Sequence, residues 1–301
     1  IYKKKFDKFN FKKLEIYTQT GSIVKDLNSS KMVLPDNFTL QRNGGVKTII
    51  SIEDERIALI SANENKCYFA SLVLIKNKKE LFRTDCLPED PKNNDFNGLG
   101  SSNVHYDNKI LFSLGTPEKH ASKNSLLAQK KESKFGKILE IDKQELLEKI
   151  KDSSKIINLK TFSKGHRVPQ GLTVLNKKVF NVEHGPKGGD ELNQVIRDKN
   201  YGWPIVSYGT NYLKNNGGDG SAYNINHSKA GFEAPIFAFV PSIGISSLNN
   251  CPKILNNYYK KPCLMALSLY GNNLRKGYSI VIFLLNDELN KVDSLEKISL
   301  G

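Results

Sequence analysis

Short apolar segments bounded by polar turns recur along this chain. Residues 53–61 (EDERIALIS), 107–115 (DNKILFSLG) and 176–184 (NKKVFNVEH) each place a polar turn and a charged residue before an alternating apolar stretch. The first two segments begin about fifty residues apart, a spacing typical of the blades of a β-propeller. Each blade is a small sheet packed on its neighbours, so it needs alternating or fully apolar strands joined by short polar turns.

Further segments extend this pattern of strands. Apolar runs of strand length occupy residues 69–76, 135–142, 234–240, 263–269 and 278–285. One helix is predicted after Asp142, which can cap its N-terminus, with Glu145 three positions later. Residues 214–231 are polar and predict a long surface loop. Strands dominate the chain, so the predicted fold class is all-β.

Composition and charge exclude two classes of protein. No apolar run approaches the about eighteen residues that a membrane-spanning helix needs, so we expect no membrane span. The basic N-terminal residues are followed by no apolar run, so they do not form a signal peptide. The net charge is +14, but the lysines are spread along the chain, as on a solvated surface. We therefore expect no nucleic-acid binding.

The four cysteines allow two interpretations. No CxxC or Cys/His metal motif is formed by Cys67, Cys86, Cys251 and Cys263, so we expect no zinc site. They form two pairs of cysteines close in sequence, which suits one or two disulfides in an oxidising compartment. Four reduced, buried thiols fit the sequence equally well.

Residues 165–212 hold most of the candidate chemistry. This stretch contains Arg167 and the chain's single tryptophan, Trp203, together with closely spaced glycines and prolines that bend the backbone into loops. Loops of this kind carry function more often than scaffold. We interpret His166 and His184 as loop anchors, because a lone loop histidine is usually hydrogen-bonded to backbone. Trp203 is interpreted as a structural plug.

Three linked motifs in this stretch carry a family resemblance. They read GHRVPQGL, EHGPKGGDELN and NYGWPIVSYGTNY, in this order. The stretch resembles the soluble quinoprotein sugar dehydrogenases, the glucose/sorbosone dehydrogenase family that uses pyrroloquinoline quinone (PQQ). It is most similar to the aldose sugar dehydrogenase branch, where GHRNPQGL, EHGPxGGDEIN and KNYGWPxxxxGxxY occur at nearly the same spacing.

The resemblance implies a fold and an activity. It implies a six-bladed β-propeller formed by residues 1–301 as a single domain, with the cofactor and a calcium ion at one mouth of the central channel. Family members continue beyond the position of Gly301, so we interpret the chain as a fragment whose last blade is incomplete. The implied reaction oxidises the C1 hydroxyl of a sugar to the lactone and passes electrons to an external acceptor. The implied location is periplasmic or secreted.

The resemblance also implies cofactor contacts. Arg167 matches a family arginine that contacts the cofactor, and a guanidinium suits bidentate binding of a carboxylate or a quinone oxygen pair. A structural ion pair is the alternative role for this arginine. Tyr212 matches a tyrosine that lines the quinone site, or it packs at the base of a loop. Tyr270 stands where the family has a cofactor-binding lysine, and Val168 replaces a family asparagine.

Four positions correspond to calcium ligands in the family. Gly185 and Pro186 fall where some members offer backbone carbonyls to the ion, although an ordinary Gly-Pro turn needs no metal. Glu191 and Tyr201 match a carboxylate and a main-chain oxygen that bind calcium in the aldose branch. Since calcium prefers about six to eight oxygens, loop carbonyls and water would have to complete this shell.

The expected general base is missing from its position. In the family it is a histidine shortly before a Gly-Gly pair, which by alignment falls at about Leu99, with Ser101 and Ser102 in place of the glycines. His105, six residues later, is the remaining candidate, although strand alternation can place it on the opposite face. The resemblance favours an enzyme. The changes at residues 99, 168 and 270 favour the alternative, a propeller that has lost catalysis and binds a carbohydrate or a protein.

Overall fold

The alternating apolar segments form antiparallel strands joined by tight polar turns. The computed structural model describes residues 14–25, 28–88, 94–118, 124–155, 157–212, 219–269 and 278–300. Its contacts divide the chain into two units, Ile1–Arg83 and Thr84–Gly301. The single domain over residues 1–301 therefore stays a prediction, and each unit is described by itself.

The first unit contains two antiparallel sheets. Strands β1 (Glu15–Tyr17), β2 (Ser22–Lys25) and β3 (Asn28–Lys31) form a three-stranded sheet. Strands β4 (Val46–Ile52), β5 (Glu55–Glu64), β6 (Cys67–Leu74) and β7 (Lys79–Arg83) form a four-stranded sheet in chain order. The predicted strand at residues 69–76 lies in β6, and its side chains are almost all buried.

The second unit contains three four-stranded sheets, each with its strands paired in chain order. The first sheet comprises β8 (Asn103–Tyr106), β9 (Lys109–Leu114), β10 (Lys137–Asp142) and β11 (Lys160–Lys164). The second comprises β12 (Val168–Leu175), β13 (Lys178–His184), β14 (Asp190–Val195) and β15 (Phe237–Phe239). The third comprises β16 (Ile245–Asn250), β17 (Cys263–Ser268), β18 (Ser279–Leu285) and β19 (Val292–Ser299).

Two short α-helices connect strands of the second unit, α1 (Lys143–Lys151) and α2 (Lys253–Tyr259). The predicted cap of α1 is confirmed, because Asp142 Oδ1 accepts hydrogen bonds from the backbone N–H of Gln144 at 2.8 Å and of Glu145 at 3.3 Å. In the described part of the chain, no helix is long and apolar enough to cross a membrane.

The fold class is the all-β propeller, as predicted, but the predicted number of blades is wrong. The described residues form five sheets rather than six. The fifty-residue period assumed that nearly every residue belongs to a blade, whereas α1 and the long connection from Val195 to Phe237 take up residues outside the sheets. The expected incomplete blade is also misplaced. The last sheet has four described strands, and the three-stranded sheet is the first.

The structure supports the first interpretation of the cysteines, which is disulfide formation. Cys251 and Cys263 form a disulfide that brackets α2, and no described cysteine is free. Because Cys263 lies in β17 and Cys251 directly follows β16, the bond joins two neighbouring strands of the last sheet.

Candidate functional site

A polar face of the β12–β15 sheet forms the base of the site. Glu183 lies directly opposite Glu191 in the β13–β14 pair, and Asn181 lies opposite Asn193. Since side chains alternate along a strand, these four polar groups share one face. The alternate residues Phe180, Val182 and Leu192 belong to the hydrophobic core. A buried sheet therefore carries two carboxylates and two carboxamides side by side.

Glu183 connects this face to the loop of His166 and Arg167. Its Oε2 accepts a hydrogen bond from the Arg167 backbone N–H at 2.8 Å, and its Oε1 accepts one from Asn193 Nδ2 at 2.9 Å. His166 Nδ1 lies 3.1 Å from Glu183 Oε1, and His166 Nε2 lies 2.8 Å from Ser163 Oγ. The His166 ring is buried, so this serine, histidine and glutamate hold the loop rather than meet a substrate. The predicted loop anchor at His166 is confirmed.

Arg167 extends from that loop with its guanidinium largely buried. Its Nη1 donates hydrogen bonds to the Gly185 carbonyl at 2.6 Å and to the His184 carbonyl at 3.3 Å. Its Cζ lies 5.1 Å from the centroid of the Trp203 ring. The residue is 7% exposed, and its buried Nε has no hydrogen-bond partner in the described part of the chain. A buried donor without an acceptor is unfavourable, so this N–H suits an acceptor oxygen from a bound group.

A small cavity of about 10 Å³ lies beside these groups. Its volume suits about one water molecule or one small ion. Residues lining it include Arg167, Glu183, Gly185, Glu191, Tyr201 and Trp203. The structure therefore brings together four of the predicted site residues. A cofactor the size of PQQ would have to lie over the opening, because the cavity itself is too small.

Glu191 is a buried carboxylate with little compensation. Burial raises the pKa of Glu191 well above its usual value, and the negative charges of Glu183 and Asp190 raise this pKa further. Its hydrogen bond from Asn193 Nδ2 is long, at 3.4 Å. Asn181 Oδ1 and Asn193 Oδ1 are also buried without a partner. Oxygen ligands with excess negative charge fit a hard cation such as calcium.

The other predicted calcium ligands are Gly185, Pro186 and Tyr201. The Gly185 carbonyl accepts the short hydrogen bond from Arg167, and Pro186 does not line the cavity. Tyr201 lines the cavity, and the ligand predicted from it is its main-chain oxygen, whereas its hydroxyl donates to the Gln194 carbonyl and accepts from the Ile196 backbone N–H at 3.0 Å. The described residues contain no cluster of three or more His, Cys, Asp or Glu side chains arranged to hold a metal. A cation here would need backbone oxygens and water besides Glu191.

Two other predicted residues, Tyr212 and His105, do not line the cavity. Tyr212 is half-buried, and its carbonyl accepts a hydrogen bond from the Gly220 N–H at 2.8 Å. His105 is exposed on β8. Tyr270 lies outside the described residues. The roles assigned to them stay predictions.

The position at which the family carries its general base is apolar and buried in this chain. Leu99 is fully buried at the end of a 3₁₀ turn, Phe96–Leu99. Two residues later Ser101 has φ +100°, a conformation that favours glycine. It is held there by hydrogen bonds from its N–H to the Pro169 carbonyl at 2.7 Å and from its Oγ to the Ser113 carbonyl at 2.9 Å. The backbone thus adopts a glycine-type conformation where the resemblance places a glycine.

Asp190 organises the opposite side of the site and was missed by sequence reasoning. Its carboxylate accepts four hydrogen bonds, from the Gly185 N–H at 3.2 Å, from Ser242 Oγ at 2.8 Å and from the N–H groups of Ile243 and Ile245 at 3.0 Å each. His184 Nε2 donates to the Ile245 carbonyl. Burial lowers the pKa of His184, which favours the neutral ring. The predicted anchor role of His184 is confirmed.

Glu183 was also missed, although the sequence holds a signal for it. A glutamate and a histidine end the alternating strand segment 176–184, and a charge on a buried strand implies a partner. Its partners lie on the neighbouring strand β14 and on the loop of His166 and Arg167, so the sequence could indicate that hydrogen-bond donors are needed but not which residues provide them.

Comparisons with known proteins agree with the resemblance. A family model described as Glucose / Sorbosone dehydrogenase matches residues 57–275, more than half of the chain. A segment of the chain is similar to aldose sugar dehydrogenase YliI of Escherichia coli K12, with 37% identity over 93 residues. This segment is 29% of the chain and spans 23% of that relative.

Solved structures share the fold. The apo-form of the soluble aldose sugar dehydrogenase from Escherichia coli superposes with a TM-score of 0.67 at 19% identity, over 96% of this chain and 83% of that one. The PQQ-bound form of the aldose sugar dehydrogenase from Streptomyces coelicolor gives a TM-score of 0.58 at 17% identity, over 92% of this chain and 74% of that one. At these identities the likeness is one of fold.

Proposed function

The chain belongs to the glucose/sorbosone dehydrogenase family, and on this premise we propose that it binds PQQ and oxidises a sugar. The proposed reaction converts the C1 hydroxyl of an aldose to the lactone and passes the electrons to an external acceptor. The observation that carries the proposal is Arg167. Its buried guanidinium lies against Trp203, and its Nε has no acceptor among the residues that the structure describes.

Arg167 is proposed to orient the cofactor. Glu183 fixes its backbone, and the carbonyls of His184 and Gly185 hold its Nη1, so the free Nε–H has a defined direction. A charged donor preorganised in this way binds a carboxylate or quinone oxygen more strongly than a flexible lysine would. When bound, PQQ would supply the two-electron acceptor chemistry that sugar oxidation needs.

Glu191 is proposed to bind calcium together with oxygens of the Tyr201 loop. The buried carboxyl of Glu191, whose ionised form has no compensating positive charge beside it among the described residues, and the cavity beside Tyr201 support this proposal. Gly185 and Pro186 remain proposed ligands through their backbone oxygens, although Arg167 competes for the Gly185 carbonyl. The ion would neutralise the buried carboxylate and tie β14 to the loop that carries Trp203.

The base that removes the sugar hydroxyl proton is not assigned to a cavity residue. His184 lines the cavity and is held as a loop anchor by the hydrogen bond from its Nε2 to the Ile245 carbonyl. His105 stays a proposed base. The second candidate function, a propeller that binds a carbohydrate or protein without catalysis, is favoured by the buried Leu99 at the family's base position.

A periplasmic or secreted location is part of the proposal. The Cys251–Cys263 disulfide supports it, because structural disulfides persist mainly in oxidising compartments.

Sugar-dependent reduction of a dye by the protein, loaded with PQQ and calcium, tests the proposal. We expect turnover that Arg167→Met lowers by about tenfold or more, since a hydrogen bond to a charged group contributes about 1.5–3 kcal/mol. Arg83→Met is the matched control, because Arg83 also lies over an aromatic ring, Phe69, at 4.5 Å but does not line the cavity. Tight PQQ binding without turnover would support the second candidate. Absence of PQQ binding would refute the quinoprotein proposal.

A further inference from the structure

Lys137 is a fully buried lysine at the start of β10. It is 1% exposed, and its Nζ donates hydrogen bonds to the carbonyls of Leu127 at 3.0 Å, Ala128 at 2.7 Å and Phe135 at 3.0 Å. The first two carbonyls belong to the 3₁₀ turn Ser125–Ala128. An ammonium has three N–H donors, so these bonds use all of them.

Burying this amine is unfavourable. Burial lowers the pKa of Lys137 to about 7, with Lys164 and Lys134 adding repulsion and Glu132 opposing it. A methionine would fill similar space without this penalty. In return, the amine donates hydrogen bonds to three carbonyls that would otherwise be buried without a donor. Lys137 thereby fixes the end of the turn on the sheet.

The residue that follows this turn reaches the candidate site. Gln129 Nε2 donates to the Trp203 carbonyl at 2.6 Å and to Asn200 Oδ1 at 3.2 Å, and Gln129 Oε1 accepts from Asn200 Nδ2 at 2.8 Å. Asn200 Oδ1 also accepts from the Gly202 N–H at 3.0 Å. One side chain therefore holds both ends of the segment from Asn200 to Trp203.

This segment places the indole at Arg167. The Trp203 backbone N–H donates to the Gly165 carbonyl at 3.0 Å, two residues before Arg167, and the indole ring centroid lies 5.1 Å from the guanidinium carbon. The contacts form a continuous series from Lys137 through the turn and Gln129 to Trp203 and Arg167. A loosened turn would release Gln129, and with it the segment that supports the indole.

We propose that Lys137 and Gln129 are positioning residues for the candidate site, which hold Trp203 against Arg167 from the 3₁₀ turn. The role in cofactor binding rests on the proposed function, because it requires Arg167 to contact PQQ. The positioning itself is a property of the protein without cofactor, so it can be measured separately.

Trp203 is the chain's single tryptophan, so its fluorescence reports on this segment alone. We would measure emission and acrylamide quenching of the cofactor-free protein, with far-UV circular dichroism during urea unfolding as the measure of overall stability. The variants are Lys137→Met, Gln129→Leu and the double variant. Lys130→Met is the matched control, because Lys130 is exposed and adjacent to Gln129 in the same segment.

We expect Gln129→Leu and Lys137→Met each to raise the acrylamide quenching constant of the folded protein by roughly twofold or more, since loss of either anchor opens the segment locally. The double variant should not exceed the larger single effect, because both changes act through one series of contacts. Lys130→Met should match the wild type. PQQ affinity should fall in Gln129→Leu.

Wild-type quenching in folded Gln129→Leu would overturn the proposal, and so would additive effects in the double variant. Gln129→Leu keeps the test decisive even where Lys137→Met does not fold. If PQQ fails to bind the wild type, the proposed function is refuted, while the Trp203 measurement still decides whether the two residues position the indole.

Discussion

Replacement of Glu191 by glutamine should stabilise the metal-free protein at neutral pH. Glu191 is only 9% exposed, faces Glu183 across the β13–β14 pair and receives one long hydrogen bond from Asn193. Its ionised form is therefore poorly solvated and repelled by a neighbouring charge. Glutamine has nearly the same shape and no charge, so it removes both penalties.

The size of the effect follows from proton linkage. The folded protein retains a proton on Glu191 at pH values where the unfolded chain, with a pKa of 4.5, has lost it. The folded state thus binds more protons in this window, and wild-type stability falls as pH rises above 4.5, by about 1.4 kcal/mol per pH unit until the pH reaches the raised pKa. Glu191→Gln lacks this contribution, so the gap between the two proteins widens with pH and then becomes constant.

Urea unfolding with EDTA, at pH values from 4.5 upward, measures this gap. Glu296→Gln is the control, because Glu296 is an exposed glutamate on β19. Calcium should narrow the gap, since an ion at a hundred times its Kd would stabilise the wild type by about 2.7 kcal/mol and the variant by less. A variant that is less stable than the wild type in EDTA at pH 7, or a gap independent of pH, would refute the reasoning.

Two further changes test the framework of the site. Asp190→Ala should lower the free energy of unfolding by about 3–5 kcal/mol, because it leaves one buried and two partly buried backbone N–H groups without an acceptor. Exposed Asp287→Ala should change it little, and equal urea midpoints for the two variants would contradict this assignment. Removing the Cys251–Cys263 disulfide, which closes a loop with a sequence separation of 12, should lower the same quantity by about 3 kcal/mol. An unchanged urea midpoint in the double Cys→Ala variant would contradict it.

Local pattern was sufficient to predict individual elements. The apolar segment 278–285 forms β18, and the cap at Asp142 begins α1 where expected. Both signals lie within a few residues of the element they describe, so no distant contact was needed. The number of blades failed for the opposite reason, since it depends on how many residues the connections between sheets use.

The candidate site was predicted unevenly. The motifs identified Arg167 and Glu191, but not the buried Nε of the first or the raised pKa of the second, because both depend on burial in the folded protein. Lys137 shows the limit most clearly. In FGKILEID it looks like any solvated lysine, and only the turn at residues 125–128, folded over it, makes it an internal cation.

The central claim is that Arg167 and Trp203 form part of a quinone-binding site. Titration of the protein with PQQ in calcium buffer, followed by Trp203 emission, tests it most directly, because PQQ bound at this site would lie close to the chain's only indole. We predict saturable quenching in the wild type and a midpoint shifted to about tenfold or more higher PQQ concentration in Arg167→Met. Unquenched Trp203 emission, or identical titration curves for the two proteins, would contradict the claim.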